Sequence, residues 1–299
     1  MRRILLTGGS GFLGGNFCRF YSEQFEIHAI WLEHPVQFDH IISQQLNICD
    51  AEVLGDYFKK IKPNIVLHFG AYSNPNKCQT HPDISEKINI EASENIAKLS
   101  AEMRIPLVFT STDLVFDGKS APYKESDIPC PISIYGLHKS IAEQSVLDIY
   151  PNATICRLPL MYGSNPFSDL SNDIHGSSFL QQIIKTLSEG KEIKLFTDEF
   201  RTVGSVRDVC KGVLLCLEKP GEIFHLGGDS RISRYDFGKL VCEVFGYDKK
   251  LLIKAKRKDV IMPAPRPKDV SLSNEKAKKI GWNPGSIKDE LEQVKEMMK

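Results

Sequence analysis

No two cysteines of this chain stand in a C-x-x-C pair, and no histidine joins cysteine at the spacing a metal ion needs. The 8 cysteines are scattered, which reads as reduced thiols without disulfide or zinc, and as a cytoplasmic protein. An excess of charge is missing too. Lys+Arg and Asp+Glu both number 38, so no field recruits nucleic acid or an anionic membrane. No apolar run reaches transmembrane length. Arg2 and Arg3 precede an apolar run, but glycines interrupt it within a few residues and no small-residue cleavage site follows, so the start reads as a strand. There is no internal repeat and no low-complexity segment. With 299 residues, 41% of them hydrophobic, the chain can form one large α/β unit or two smaller ones around a substantial core.

What is present declares itself at once. Ile4-Leu5-Leu6-Thr7-Gly8-Gly9-Ser10-Gly11-Phe12-Leu13-Gly14 reads as a buried strand, a glycine turn and the first turn of a helix. Gly8 permits the tight turn, Gly11 lets a pyrophosphate approach the backbone, and Gly14 lets helix pack on strand. Free amides at the helix start would hold the anion. The candidate contacts are Gly8, Ser10, Gly11, Phe12, Leu13 and Gly14; the alternative is a purely structural turn. Glu26 to Leu32 reads as a second strand, followed by Glu33, placed where a carboxylate accepts hydrogen bonds from an adenosine ribose and repels a 2′-phosphate. A solvated strand-end acid is the other reading.

A helix is expected over Ala51 to Ile61 and a buried strand over Asn64 to Ala71, where Phe69, Gly70 and Ala71 let backbone lie against a dinucleotide. His68 reads as a core or strand-end residue. Apolar Ile84, Ile88, Ile96 and Leu99 predict one helix from Pro82 to Met103. Ile105 to Gly118 is the next strand, with Thr110 beside the cofactor and Thr112 placed to hydrogen-bond a substrate oxygen. Tyr135 and Lys139 stand at i,i+4 on one helix face. An ammonium there can stabilise a tyrosinate: lowering a tyrosine from about 10 to about 7 needs roughly 4 kcal/mol, about what a unit charge ~4 Å away supplies at an effective dielectric near 20.

Ser111-Thr112-Asp113-Leu114-Val115-Phe116-Asp117-Gly118, followed by Tyr135-Gly136-Leu137-His138-Lys139, resembles the dTDP-4-dehydrorhamnose reductase group of extended short-chain dehydrogenases/reductases. The likeness covers nearly the whole chain, including Asn74 to Pro82, Arg157 to Gly163 and Arg266 to Leu272. Leu114 departs from the usual Tyr. Arg157-Leu158-Pro159-Leu160-Met161-Tyr162-Gly163 departs from the reductases' form and looks more like related members, including the regulatory subunit of methionine adenosyltransferase.

The resemblance implies a Rossmann-type, doubly wound parallel sheet over residues 1–162, rejoined by 204–227, with a smaller substrate-binding lobe in 163–299. It implies an NAD(P)H-dependent reductase of a nucleotide-activated 4-keto-6-deoxy sugar, leaning to NAD through Glu33. Tyr135 would protonate the carbonyl oxygen, Lys139 would lower its pKa and hold the nicotinamide ribose, and Thr112 would orient the carbonyl. Asn47 and Ile48 would lie at the adenine, and Asn89 would kink its helix and relay a water to Lys139, or be a buried polar residue. Arg201 and Arg266 are candidates for the substrate diphosphate, against a surface ion pair and plain solvation. Asp208 is expected to cap a helix to Leu217, and Ser233 one to Phe245. Glu222 to Gly228 is expected to be a last sheet strand, Ser164 to Ser178 a loop and Phe179 to Ser188 an amphipathic helix. The alternatives are a dinucleotide-binding regulatory subunit, and a nucleotide-sugar epimerase or dehydratase. A homodimer is left open.

Overall fold

The computed structural model describes residues 1–167 and 178–298. Its strands are β1 (Arg3–Thr7), β2 (Glu26–Trp31), β3 (Ile41–Gln45), β4 (Ile65–His68), β5 (Leu107–Thr112), β6 (Thr154–Leu158), β7 (Met161–Tyr162), β8 (Ile193–Phe196), β9 (Phe200–Thr202), β10 (Gly204–Ser205), β11 (Ile223–His225), β12 (Arg231–Ser233) and β13 (Leu252–Ala255). The α-helices are α1 (Phe12–Tyr21), α2 (Ala51–Ile61), α3 (Pro75–Thr80), α4 (Pro82–Glu86), α5 (Ala92–Glu102), α6 (Ile134–Ile149), α7 (Phe179–Ser188), α8 (Val206–Leu217), α9 (Arg234–Phe245), α10 (Glu275–Lys278) and α11 (Ile287–Met297).

Seven strands form one sheet in the order β11-β6-β5-β4-β1-β2-β3, and every neighbouring pair is parallel. Parallel strands buried on both faces should read as continuous apolar runs, and β4 and β5 are buried at every residue. β3, at the edge, is half exposed. One face of the sheet carries α1 and α8, through Phe17, Cys18, Val209 and Val213. The other carries α2, α5 and α6, through Phe58, Ile96, Ala142 and Val146. A third core joins α7, α9 and α11 through Ile183, Phe237, Val241 and Leu291. Helices on both faces and an order that reverses between β1 and β4 make this a doubly wound sheet, whose ligand crevice lies beyond the carboxyl ends of those strands. Thr7 ends β1 beside His68 at the end of β4; Thr112 ends β5 on the other side of β4.

β11 lies parallel to β6 and α8 packs with α1, so the chain between 204 and 227 rejoins the large sheet. α2 and α7 span the residues their patterns predict, and Ser233 caps α9 through the amide of Asp236. Three expectations are corrected. The helix over 82–103 is α4 and α5 joined by a π turn at Lys87–Glu91. Asn89 in that turn accepts from the Tyr72 amide at 2.9 Å and donates to the Tyr72 carbonyl at 3.2 Å, a side-chain anchor of the kind that accompanies such bulges. The strand predicted from 105 to 118 ends at Thr112, where a 3₁₀ turn, Asp113–Val115, begins. α8 is capped by Ser205, not Asp208; the Asp208 carboxylate instead accepts from the Gly285 amide at 3.0 Å. Of the loop expected over 164–178, residues 168–177 lie outside the described residues. Among the described residues no helix is long and apolar enough to cross a membrane.

Candidate active site

The glycine turn is dictated by close approach. Gly8 has φ +71, and a Cβ there would lie 2.7 Å from the Gly70 amide nitrogen. A Cβ on Gly14 would lie 2.2 Å from the Gly8 carbonyl oxygen, so the turn, α1 and the end of β4 fit only without these side chains. Gly11 caps α1 with no side-chain hydrogen bond, is exposed and would meet only the Gly8 oxygen, at 3.2 Å. Unclaimed first-turn amides beside open backbone suit an anion. Ser10 and Phe12 flank this opening half-buried, and Leu13 is buried under it.

Beneath the turn a polar chain binds the strands together. Ser93 Oγ gives its proton to the Asn89 carbonyl at 2.8 Å, so His68 Nε2 donates to Ser93 Oγ across 2.9 Å. Its Nδ1 then accepts from Thr7 Oγ1 at 2.7 Å, and Thr7 Oγ1 accepts from the Gly70 amide at 3.0 Å. This assignment needs a neutral ring. Burial, aided by the Lys139 charge, pushes His68 down to about 3. His68 is thus the core residue its position suggested.

Phe69, Gly70 and Ala71 follow β4 half-buried, and Ile48 reaches toward Gly70. Asn47 is exposed, and its carbonyl already accepts from the Cys49 amide at 3.0 Å in a local turn. Glu33 lies on the bend after β2, exposed, with its carboxylate 3.7 Å from the His34 ring. Thr110 donates to the His68 carbonyl at 3.0 Å, holding β5 to β4.

Tyr135 and Lys139 enter from α6, capped by Ser133. A Cβ on Gly136 would lie 2.1 Å from the Leu114 oxygen, so glycine lets the start of α6 press on the turn after Thr112. Tyr135, Thr112 and Lys139 are all buried, and the Thr112 hydroxyl donates to Asp113 Oδ1 at 3.2 Å. The expected electrostatics are corrected. Burial, with Cys78 and Asp113 nearby, pushes the Tyr135 phenol above its ordinary value, whereas an ammonium was expected to lower it. Lys139 is itself pushed down to about 7 by burial, against the pull of Glu143. Its Nζ sits 3.8 Å from the centre of the Phe109 ring. Desolvation outweighs the Glu143 charge at Lys139 and acts together with the nearby Cys78 and Asp113 at Tyr135, so the phenol keeps its proton at neutral pH.

Arg201 is not a surface ion pair. It is buried, with Nη1 2.7 Å from Asp113 Oδ2 and Nη2 3.3 Å from Glu199 Oε1. With both terminal nitrogens held by carboxylates, the expected contact from Arg201 to a substrate diphosphate is corrected to an internal one. Glu199 also takes Arg234 at 3.2 Å. Burial works to raise its carboxyl, but Arg234, Arg201 and Arg266 outweigh it and hold it below the usual range. Arg266 lines a cavity of about 430 Å³ with Asp198, Arg257, Lys258 and Met262. Its Nε, like Nε of Arg201, has no hydrogen-bond partner among the described residues. Asp113, the acid that an epimerase or dehydratase reading would need, is committed to Arg201. Sequence reasoning missed Glu199 and Arg234. Neither stands in a motif, and only the pairing of β12 with β9 brings Arg234 to Glu199. It also missed the buried pair of Arg157 with Glu143, at 2.7 Å.

The strand order and the glycine turn are those of a Rossmann-type protein of the extended short-chain dehydrogenase/reductase class. Within that class the chain belongs to the RmlD substrate binding domain family, which it matches over residues 1–299. It is 31% identical over 292 residues to the probable low-salt glycan biosynthesis reductase of Haloferax volcanii, covering 96% of this chain and 95% of that one. It is 28% identical over 284 residues to methionine adenosyltransferase 2 subunit beta of Rattus norvegicus, covering 94% of this chain and 83% of the other. The structure of a dTDP-4-dehydrorhamnose reductase from Bacillus anthracis in complex with NADP superposes with a TM-score of 0.86 at 23% identity, covering 99% of this chain and all of that one.

Proposed function

We propose that this protein is an NAD(P)H-dependent reductase of a nucleotide-activated 4-keto-6-deoxy sugar. The observation that carries the reading is the buried grouping of Tyr135 and Lys139 on α6, packed against the end of β5 that carries Thr112, with the phenol held protonated by burial. A reductase needs a proton donor there. The dinucleotide fits the glycine turn: Gly8, Ser10, Gly11, Phe12, Leu13 and Gly14 would hold its pyrophosphate, Phe69 to Ala71 and Thr110 its nicotinamide half, and Asn47 and Ile48 its adenine. Bound there, the reduced nicotinamide supplies the hydride. Tyr135 delivers its proton to the sugar's carbonyl oxygen, Thr112 orients that carbonyl, and Lys139 holds the nicotinamide ribose. Arg266, on the cavity wall with a free Nε, takes the substrate diphosphate. Residues 1–162 with 204–227 carry the cofactor, and the rest of 163–299 carries the nucleotide sugar. The exposed Glu33 favours NADH. The test is a panel of nucleotide 4-keto sugars scored for oxidation of NADH and NADPH.

A second reading is a dinucleotide-binding regulatory subunit. The 28% identity to methionine adenosyltransferase 2 subunit beta favours it, as does the Arg157 to Gly163 segment. Tight dinucleotide binding with no sugar reduced would select it.

A further inference from the structure

The charges of this chain balance at 38 of each sign, but they are not spread evenly: residues 249–258 carry Lys249, Lys250, Lys254, Lys256, Arg257 and Lys258 with no acid among them. Lys254 lies on β13 and Lys256 follows in extended backbone, so the two side chains leave the same side of the chain. Lys258, in the 3₁₀ turn Arg257–Asp259, lines the cavity of about 430 Å³ that Arg257 and Arg266 also line. All three lysines are exposed, and none forms an ion pair among the described residues. The acids of this face are committed elsewhere. Asp198 lies 3.5 Å from Arg257 Nε, Asp236 lies 2.7 Å from Lys239, and Asp259 turns Oδ2 back to the Lys256 amide at 2.9 Å. Successive Cα atoms are at most about 3.8 Å apart, so the four steps from Lys254 to Lys258 span no more than about 15 Å. At about 0.01 M salt the Debye length is about 30 Å, so every charge of the row is felt at the cavity; at about 1 M it is about 3 Å, and the distant ones are not.

We propose that Lys254, Lys256 and Lys258 form a steering row that draws the diphosphate of a nucleotide ligand into the Arg266 cavity, speeding encounter without touching the reacting atoms. The row ends in a concavity of small-molecule size, and a chain with no net charge lacks the field to hold a polyanion, so the ligand is a small anion. The proposal deepens the reductase reading and rests on it for the identity of that ligand.

The test reverses the two lysines outside the cavity, Lys254→Glu with Lys256→Glu, and leaves Lys258 intact. Both positions are exposed, so the fold is retained. Association of fluorescently labelled dTDP and UDP is followed by stopped flow at about 0.01 M and about 1 M salt. At low salt the double variant should associate about 10-fold more slowly than the parent, with dissociation within about 2-fold, because a rim charge acts on the on-rate. At high salt the two proteins should coincide. Lys254→Gln with Lys256→Gln should fall between them, a graded response that a packing defect does not give. For a keto sugar that is accepted, kcat should stay parental while kcat/KM falls with the association rate. A parent that binds neither diphosphate, an association rate indifferent to the reversal at low salt, or a loss that persists at high salt would overturn the proposal. If the diphosphates bind with the expected salt dependence and no keto sugar is reduced, steering stands and the reductase reading falls; if sugars are reduced while association ignores both lysines, the reading stands and steering falls.

Discussion

At the scale of single residues, burial decides the chemistry more than neighbouring charge does. Tyr135 keeps its proton because desolvation penalises phenolate, and that proton is what a reduction consumes. Tyr135→Phe should therefore fold and bind dinucleotide as the parent does while losing about 10² to 10⁴ in turnover, measured by steady-state kinetics beside a dinucleotide titration; a smaller loss is expected of Thr112→Val. Lys139 makes a second, thermodynamic prediction. Its folded value lies near 7, below the ordinary 10.5, so between those pH values the unfolded chain binds the extra proton. Stability attributable to this residue rises with pH across that window, by up to about 1.4 kcal/mol per unit. Urea titrations from pH 7 to pH 10 should show this slope in the parent, and Lys139→Met should lack it. His68 and His225, both pushed down to about 3 by burial, act the same way at lower pH: their contribution is complete above pH 6.5 and is lost as the pH falls toward 3.

At the scale of elements, the glycine turn binds β1, α1 and β4 into one unit. Gly14→Ala places a methyl 2.2 Å from the Gly8 oxygen. It should cost about 1–3 kcal/mol by overpacking and weaken dinucleotide binding, read by thermal melts and by fluorescence titration. A variant that melts and binds like the parent would show that the turn has slack. This unit was legible in the sequence because each of its constraints is local: an apolar run, then glycines at fixed offsets. α2 and α7 were legible for the same reason, periodicity plus a cap. The break in the helix over 82–103 was not legible in its periodicity, since it goes with a contact from Asn89 to Tyr72, seventeen positions away; the resemblance alone pointed to a kink at Asn89, which the π turn at Lys87–Glu91 bears out. The cap of α8 was misplaced by three residues because Ser205 and Asp208 are both good capping types, and the Asp208 carboxylate is claimed by the Gly285 amide, far along the chain, and by Lys211. The site divides along the same line. Tyr135 and Lys139 share one helix and could be paired from spacing, whereas the tie of Arg201 to Asp113 spans 88 positions and that of Arg234 to Glu199 exists only once β9 and β12 are laid beside each other.

At the scale of the whole molecule, a doubly wound sheet places its crevice beyond the ends of β1 and β4, and Arg201 and Arg266 come from chain outside that sheet. Glu33, exposed beyond β2, should make the protein prefer NADH; replacing it with Ala should narrow the difference between NADH and NADPH affinities, and equal affinities in the parent would mean that the carboxylate points away from the ribose. Arg266→Leu should raise the KM of the sugar substrate and leave the dinucleotide Kd unchanged, whereas an unmoved KM would make Arg266 an ordinary wall residue of its cavity. The most direct test of the account follows one hydride. Protein incubated with 4-deuterated NADH or NADPH and a nucleotide 4-keto-6-deoxy sugar should oxidise one dinucleotide per sugar reduced and leave deuterium on the sugar's C4, while Tyr135→Phe does so hundreds-fold or more slowly. Tight dinucleotide binding with no deuterium transferred to any keto sugar, or transfer at the parental rate by Tyr135→Phe, would contradict it.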